Sequence, residues 1–318
     1  MILHDAIHFP AIRVLDGGLA TELERRGCDI AGPLWSAHVL DRAPDALTAV
    51  HLDYLRAGAD CIATASYQIS AFGYRELGLS APDAAAAANQ ALTQSVRLAE
   101  AARAHYAGEN PRRVWIAASL GPYGAALHNG AEYHGRYDID DAALVAFHAE
   151  RLAVLSQTNA DFIAFETIPS LTEANAIVQA LSLFPQVAAW LSFTCRDAED
   201  VAHGEPLVAC AEMLSDADSI LAIGVNCTAP HRILPLLDAA QRGAQGRKPI
   251  IVYPNSGEVW DAAARTWHGD DSTQRFGLLA QSWFAAGAQA VGGCCRTRPA
   301  HIAAVAQAAH AVIPAAAP

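Results

Sequence analysis

The sequence has 318 residues, of which 53% are hydrophobic and 17% are charged, and its formal net charge is −12. This composition supports a large folded core and argues against disorder, and the lack of any cluster of Lys and Arg argues against a nucleic-acid partner. No basic segment precedes a long apolar stretch near residue 1, and no apolar run is long enough to span a bilayer. We therefore expect a cytoplasmic protein with reduced thiols and no membrane association.

Eight short apolar runs recur along the chain, and segments with helical spacing lie between most of them. In chain order the runs are IRVLDGG, CIATASY, VWIAASLGP, FIAFET, AAWLSFTC, ILAIGVNC, IIVYPNSG and AVGGCC. Near-continuous apolar strands that alternate with helices predict a parallel sheet covered by helices. Eight such units predict an α/β fold, a single (β/α)8 TIM-type barrel in which residues 1–318 form one domain. The alternative is a doubly wound open sheet, but LDGGLATELE lacks the GxGxxG spacing typical of that fold.

Each predicted strand ends in residues that can take part in chemistry. In chain order these residues are Asp16, Gly17, Gly18, Thr64, Tyr67, Ser119, Glu166, Thr194, Asn226, Cys227, Asn255, Cys294 and Cys295. In a (β/α)8 barrel the C-terminal strand ends meet at one mouth, where the active site lies. Helix capping is an alternative role for Asp16, Asn226 and Asn255. Eight polar endings together nevertheless favour an active site.

The longest irregular stretch, residues 121–140, follows the third predicted strand and is rich in Gly, His and Tyr. We expect it to lie over the barrel mouth. An ordinary long connection between two elements is the alternative interpretation, since most long loops of a barrel join a strand to its helix.

Three of the seven cysteines lie at predicted strand ends, and seven is an odd number for a disulfide framework. Cys227 ends the sixth strand, whereas Cys294 and Cys295 end the eighth, and such ends can converge across a barrel mouth. Three thiolates supply three corners of a zinc tetrahedron, with Zn–S distances of about 2.3 Å, and leave the fourth position open for catalysis. We expect Gly292 and Gly293 to permit the backbone bend that this needs. A strained vicinal disulfide, or plain apolar packing, is the alternative.

A zinc ion with three sulfur ligands is electron-rich and therefore suits the binding of a substrate thiol as thiolate. A free thiol has a pKa of roughly 8.5, so little thiolate exists at neutral pH unless a metal removes the proton. The natural reaction at such a site is alkyl transfer to the bound sulfur.

The motifs around these cysteines, GVNCTAP and VGGCCRTRP, resemble those of the homocysteine S-methyltransferase family. LDGGLATELERRG, TASYQIS, SLGPYGAALHNGAEYHGRY, FETIPS and YPNSGEVWD are similar to the branch that uses S-methylmethionine, so the resemblance covers nearly the whole chain. It implies a (β/α)8 barrel in which Cys227, Cys294 and Cys295 hold zinc and the sulfur of homocysteine is the fourth ligand.

The resemblance also implies roles for other residues at the mouth. Asp16 and Glu166 match the acidic residues that receive the amino group of homocysteine, and Gly17 and Gly18 match backbone close to the amino acid. For Glu166 a structural ion pair is the alternative. Tyr67 matches the tyrosine near the sulfonium donor, which aromatic faces favour. Further substrate-binding candidates at the mouth are Thr64, Ser119 and Asn226, and weaker donor candidates are Trp35, Tyr123 and Glu258.

The expected reaction is in-line attack of the homocysteine thiolate on the methyl group of S-methylmethionine, which gives two molecules of methionine. S-adenosylmethionine is an alternative donor, and betaine is a less favoured one. A zinc-storage or redox-sensing protein without turnover is an alternative from another class. We expect small-molecule substrates only, and a monomer or small homo-oligomer.

Overall fold

The structure is a computed structural model that describes residues 9–30, 34–261, 266–269 and 271–312, with backbone only at 35–37 and 259–268. The strands are β1 (Cys61–Ala63), β2 (Trp115–Leu120), β3 (Phe162–Ile168), β4 (Ala189–Phe193), β5 (Ile220–Asn226), β6 (Ile250–Tyr253), β7 (Val259–Asp261), β8 (Thr266–His268) and β9 (Ala290–Val291). The helices are α1 (Leu19–Arg25), α2 (Trp35–Arg42), α3 (Pro44–Arg56), α4 (Ala71–Glu76), α5 (Ala81–Glu109), α6 (Tyr123–Ala126), α7 (Asp141–Leu155), α8 (Leu171–Ser182), α9 (Leu207–Ser215), α10 (Ile233–Ala244), α11 (Thr273–Ala285) and α12 (Pro299–Val312).

Seven parallel strands form one curled sheet in the order β1-β2-β3-β4-β5-β6-β9. The order follows the chain without reversal, whereas a doubly wound sheet reverses its strand order at a switch point. The doubly wound alternative is therefore wrong. Each strand after the first is reached through a helical connection, as the alternation of apolar runs and helical segments predicts.

The first predicted strand, IRVLDGG, is present only as two bridging residues. Val14 pairs in parallel with Val291 of β9, and Leu15 pairs in parallel with Cys61 of β1, so this segment contacts both edges of the sheet. It stays short because a side chain takes over its backbone donors: the N–H groups of Arg13 and Val14 both donate to Asp60 Oδ2, each at 2.9 Å. Regular pairing is thus limited to seven strands where the sequence predicts eight.

Apolar side chains cover both faces of the sheet. β4 and β5 are buried at every position, which is typical of parallel strands covered on both sides. A smaller cluster on the inner face includes Ala117, Ala164, Trp190 and Ala222. Because side chains alternate along a strand, the positions two residues further on carry polar groups toward the C-terminal strand ends. These polar positions are Ser119, Glu166 and Ser192. On β5 the position two residues after Ala222 is Gly224, and the polar residue of this face is Asn226, four residues after Ala222.

An antiparallel hairpin formed by β7 and β8 lies outside the parallel sheet. The sequence does not predict this hairpin, because each of its strands has only three residues, which is too few to show an alternation of apolar and polar side chains. No helix within the described part of the chain combines the length and hydropathy needed to cross a membrane.

We predict that Asp60→Ala lowers the free energy of unfolding by about 2–4 kcal/mol, because Arg13, Val14 and Arg112 lose one charged acceptor. Urea denaturation measures this change. Asp238→Ala, which removes an exposed partner of Arg242, is the matched control and should shift stability by less than about 1 kcal/mol. Equal effects of the two substitutions would contradict the prediction.

Candidate active site

Three cysteine sulfurs converge at the C-terminal ends of β5 and β9. Cys227 Sγ lies 3.6 Å from Cys295 Sγ, Cys295 Sγ lies 4.0 Å from Cys294 Sγ, and all three lie within 4.8 Å of one another. A tetrahedral zinc with Zn–S bonds of about 2.3 Å separates its sulfurs by about 3.8 Å, so the spacing fits. Within the described ranges no other set of three His, Cys, Asp or Glu side chains offers such a site. All seven cysteines are free thiols, so the vicinal-disulfide alternative is not observed.

The backbone bends that aim these thiols differ from the expected ones. Neither Gly292 nor Gly293 has a positive φ, whereas Cys227 (φ +48°) and Arg296 (φ +66°) do. The two glycines are needed for space instead: a Cβ at position 292 would lie 2.6 Å from the Cβ of Leu15, and one at 293 would overlap a threonine side chain. The expectation that these glycines supply the bend is therefore wrong. Gly292 is required by close packing against the segment before α1, and Gly293 by close packing against Thr297 within its own loop.

Hydrogen bonds hold the loop after β9 in place. Asn255 Oδ1 accepts from the N–H of Cys295 at 3.1 Å, and the Thr297 hydroxyl donates to the carbonyl of Cys294 at 2.7 Å. Thr297 Oγ1 also accepts from the N–H of Gly18 at 3.1 Å. Asn255 therefore orients the loop that carries Cys294 and Cys295 and does not cap a helix. Thr297 holds the same loop in place, a structural role that the sequence did not indicate.

The cysteine cluster stabilises a thiolate. Hydrogen bonds from Cys227 and then Cys294 lower the pKa of the Cys295 thiol well below its usual range. A thiolate is the form of cysteine that binds metal ions. The donor set and its spacing therefore both fit zinc.

A cavity of about 300 Å³ lies against the cluster. Its size suits a small amino acid rather than a polymer. Of the thirteen strand-end residues that the sequence predicts for the site, all but Thr194 and Asn255 line the cavity, namely Asp16, Gly17, Gly18, Thr64, Tyr67, Ser119, Glu166, Asn226, Cys227, Cys294 and Cys295.

Two carboxyl groups of the cavity are poorly solvated. Asp16 is 8% exposed and its Oδ2 accepts from the N–H of Ala63 at 2.8 Å. Burial raises the pKa of Asp16 well above its ordinary value. Burial also raises the pKa of Glu166 to about 7, while the hydroxyl of Ser119 donates to this carboxylate and lowers the pKa in part. Both groups would gain from a cationic ligand, because a nearby positive charge favours the ionised carboxylate.

The three other polar candidates, Thr64, Ser119 and Asn226, bond mainly to other residues of the protein. Thr64 Oγ1 accepts from the N–H of Ser119 at 3.1 Å. Asn226 is fully buried, and its amide pairs with both the N–H and the hydroxyl of Thr167, at 2.8 and 2.9 Å. Asn226 Nδ2 also lies 4.0 Å from Cys294 Sγ. These contacts hold Thr167 at a positive φ of 64°. Direct contact of Asn226 with substrate stays a prediction.

The donor candidates differ in position. Tyr67 lines the cavity and packs on Gly121 so closely that a Cβ at 121 would lie 2.7 Å from its ring. Tyr123 instead packs in an aromatic cluster with Phe72, Tyr137 and Phe147 and does not line the cavity. Glu258 pairs with Arg296 at 3.1 Å and lines a second cavity. The side chain of Trp35 lies outside the described residues.

The stretch 121–140 reaches the cysteine cluster. Tyr133, although 53% exposed, brings its hydroxyl to 3.7 Å from Cys227 Sγ, and Glu132 also lines the cavity. A second cavity of about 850 Å³ shares Tyr133 and Cys295 with the first. The sequence indicates this loop but not these two residues, since a loop without periodicity does not show which side chain points inward.

A buried network anchors this loop to α7 and α8. Glu173 Oε1 accepts from the N–H of Tyr123 at 2.6 Å and lies 3.0 Å from His148 Nε2, and Oε2 accepts from the hydroxyl of Tyr137 at 2.9 Å. Arg151 donates to the carbonyl of Gly121 at 3.0 Å. The loop is thus tied at both ends to rigid helices.

Comparison with known proteins finds relatives along nearly the whole chain. The homocysteine S-methyltransferase family model matches residues 13–309. Homocysteine S-methyltransferase YbgG of Bacillus subtilis (strain 168) is 43% identical over 306 residues, which are 95% of each chain. The homocysteine S-methyltransferase of Escherichia coli (strain K12) is 44% identical over 300 residues, 92% of this chain and 94% of that protein. The crystal structure of the metallated form of homocysteine methyltransferase MmuM from Escherichia coli matches with a TM-score of 0.81 at 40% identity, over 94% of this chain and 96% of that one.

We predict that Glu166→Gln changes the pH dependence of stability. The folded-state pKa of about 7 lies above the ordinary 4.5, so the folded chain retains a proton that the unfolded chain has released. The free energy of unfolding therefore falls as the pH rises through this window, and the loss is complete above the folded pKa. The variant lacks this loss, so its stability relative to the parent chain should rise by about 1–3 kcal/mol between about pH 5 and pH 8. Urea denaturation at both pH values, with a chelator present, tests this; parallel changes in the two proteins would contradict it.

Proposed function

Because the chain belongs to the homocysteine S-methyltransferase family, we propose that it transfers a methyl group from S-methylmethionine to homocysteine at a zinc site formed by Cys227, Cys294 and Cys295. The observation that carries this proposal is the convergence of three sulfurs, from segments 68 residues apart, beside a cavity with two poorly solvated carboxyl groups. The metallated form of the Escherichia coli relative supports a metal at this site.

Homocysteine binds with its ammonium group toward Asp16 and Glu166. The ammonium group offers three donors, and the two carboxylates, which both line the cavity, provide acceptors. Gly17 and Gly18 let the backbone approach the amino acid closely, because a Cβ at either position would lie within 3 Å of neighbouring atoms. Ser119 orients the Glu166 carboxylate through its hydroxyl.

Cys227, Cys294 and Cys295 would hold the zinc ion, whose positive charge would lower the pKa of the substrate thiol so that it loses its proton to solvent and its sulfur becomes nucleophilic. The chain aligns the two substrates, so that the thiolate sulfur attacks the methyl carbon opposite the sulfonium sulfur. A new C–S bond forms, the C–S bond to the donor breaks, and its electron pair stays on the donor sulfur. Both sulfurs end as neutral thioethers, and two molecules of methionine result.

The donor lies against Tyr67, whose ring face suits a sulfonium cation. S-adenosylmethionine carries the same methyl sulfonium group and is the alternative donor, and betaine is less favoured. The 300 Å³ of the cavity favours the smaller sulfonium. A storage or sensing protein would need the sulfurs but not an adjoining cavity with Asp16 and Glu166.

We also infer that residues 14 and 15 complete a closed (β/α)8 barrel, since they bridge β9 on one side and β1 on the other. In this proposal residues 1–318 form one domain. We place the protein in the cytoplasm, where thiols stay reduced.

We predict that methionine forms from homocysteine fastest with S-methylmethionine, more slowly with S-adenosylmethionine and slowest with betaine. A chelator should abolish each reaction, and added zinc should restore it, because the substrate thiol is otherwise protonated. The measurement is chromatographic quantification of methionine. Undiminished turnover after complete metal removal would rule out the mechanism.

We predict that Cys294→Ala loses bound zinc and at least about 10³-fold in activity, because metal affinity and thiol activation depend on the full ligand set. Metal analysis and circular dichroism distinguish this loss from unfolding. Cys210→Ala is the control, since that buried cysteine lies in α9 away from the cluster. A Cys294→Ala protein that keeps its zinc would contradict the assignment.

A further inference from the structure

Two residues that line the 300 Å³ cavity each carry a buried acceptor oxygen that has no hydrogen-bond partner among the described residues. These oxygens are Gln68 Oε1 and Glu132 Oε2. Gln68 is only 8% exposed, so water reaches it poorly. A buried acceptor without a donor is unfavourable, and such groups mark places where a ligand completes the hydrogen bonding.

The structure holds Glu132 firmly in this position. Gly124 packs against its backbone so closely that a Cβ at 124 would lie 2.5 Å from the nitrogen of Glu132. The next residue, Tyr133, contacts Cys227 Sγ at 3.7 Å. Glu132 itself lines the cavity together with Cys227, Cys294 and Cys295.

Glu132 also lies within electrostatic reach of the two groups that would surround a methyl donor. Its charge adds to the effect of burial in raising the pKa of Tyr67. Glu132, Tyr67 and Cys295 also line the same cavity. A cation placed between Tyr67 and Cys295 would thus have this carboxylate beside it.

We propose that Glu132 and Gln68 form the polar side of the methyl-donor subsite. The Glu132 carboxylate faces the sulfonium charge, and Gln68 Oε1 accepts a hydrogen bond from the ammonium group of the donor. This inference rests on the proposed methyl transfer and assigns two residues to the donor that the resemblance assigns to nothing.

The chemistry favours the donor over the acceptor as the partner of Glu132. The acceptor brings a thiolate to the cysteine cluster, and a nearby carboxylate repels that charge. The donor brings a positive charge that is present before transfer and gone after it. Glu132 therefore stabilises the bound donor more than the transition state, where the positive charge is already partly lost, and its removal affects KM more than kcat.

The test compares zinc-loaded Glu132→Gln with the parent enzyme in methionine formation. We expect the KM for S-methylmethionine to rise about tenfold, since one charged contact is lost, while the KM for homocysteine stays within about twofold. Gln68→Met, which keeps the side-chain length and removes the acceptor, should raise the same KM severalfold. Glu205→Gln is the matched control, because Glu205 Oε2 is also buried without a partner among the described residues but does not line this cavity.

The outcomes separate this inference from the proposed function. A parent enzyme that makes no methionine from any sulfonium donor overturns the proposed function itself. An active parent whose donor KM is the same in Glu132→Gln and Glu205→Gln overturns the role of Glu132, and an unchanged value in Gln68→Met overturns that of Gln68. Equal increases in both KM values would show a general disturbance of the loop and would also overturn the donor assignment. Calorimetric titration of each zinc-loaded variant with S-methylmethionine alone measures donor affinity without turnover.

Discussion

The contact between the loops after β5 and β9 is the constraint on which the rest of the site depends. These strands are not neighbours, because β6 lies between them. Asn255, in the loop after β6, connects the two: its N–H donates to the carbonyl of Thr228 and its Oδ1 accepts from the N–H of Cys295, both at 3.1 Å. One residue thus links the segment of Cys227 to that of Cys295 through its backbone N–H and its side-chain oxygen. If this connection slipped, the sulfurs would no longer have the spacing of one metal ion.

Acidic side chains are the common property of the groups around the cavity. Asp16, Glu132 and Glu166 all have raised pKa values because of burial, and the cysteine cluster stabilises a thiolate. This arrangement lowers the stability of the empty fold, since charged groups lose their solvation. The same arrangement suits three positive charges, those of a metal ion, an ammonium group and a sulfonium group. Stability and ligand binding therefore oppose each other at the mouth, as is common at functional sites.

The sequence predicted much of the fold and most of the cavity lining. Apolar runs located every strand of the parallel sheet, and their polar ends included eleven residues that the structure brings together. Three features were not predictable from pattern. The first run is reduced to two bridging residues because the Asp60 carboxylate takes its backbone donors. The place of Glu132 in the cavity lining depends on the path of residues 121–140, and the need for Gly292 depends on close packing against Leu15.

The sequence by itself determined which segments form the parallel sheet, which residues end its strands and which side chains are able to bind a metal or an ammonium group. These properties are local, since they depend on side-chain type and on spacing along the chain. Only the tertiary structure decided the distances between sulfurs, the burial that raises the carboxyl pKa values and the approach of residues 121–140 to the cysteines. Those quantities depend on the curl of the sheet and on contacts between residues far apart in sequence, which no local pattern encodes.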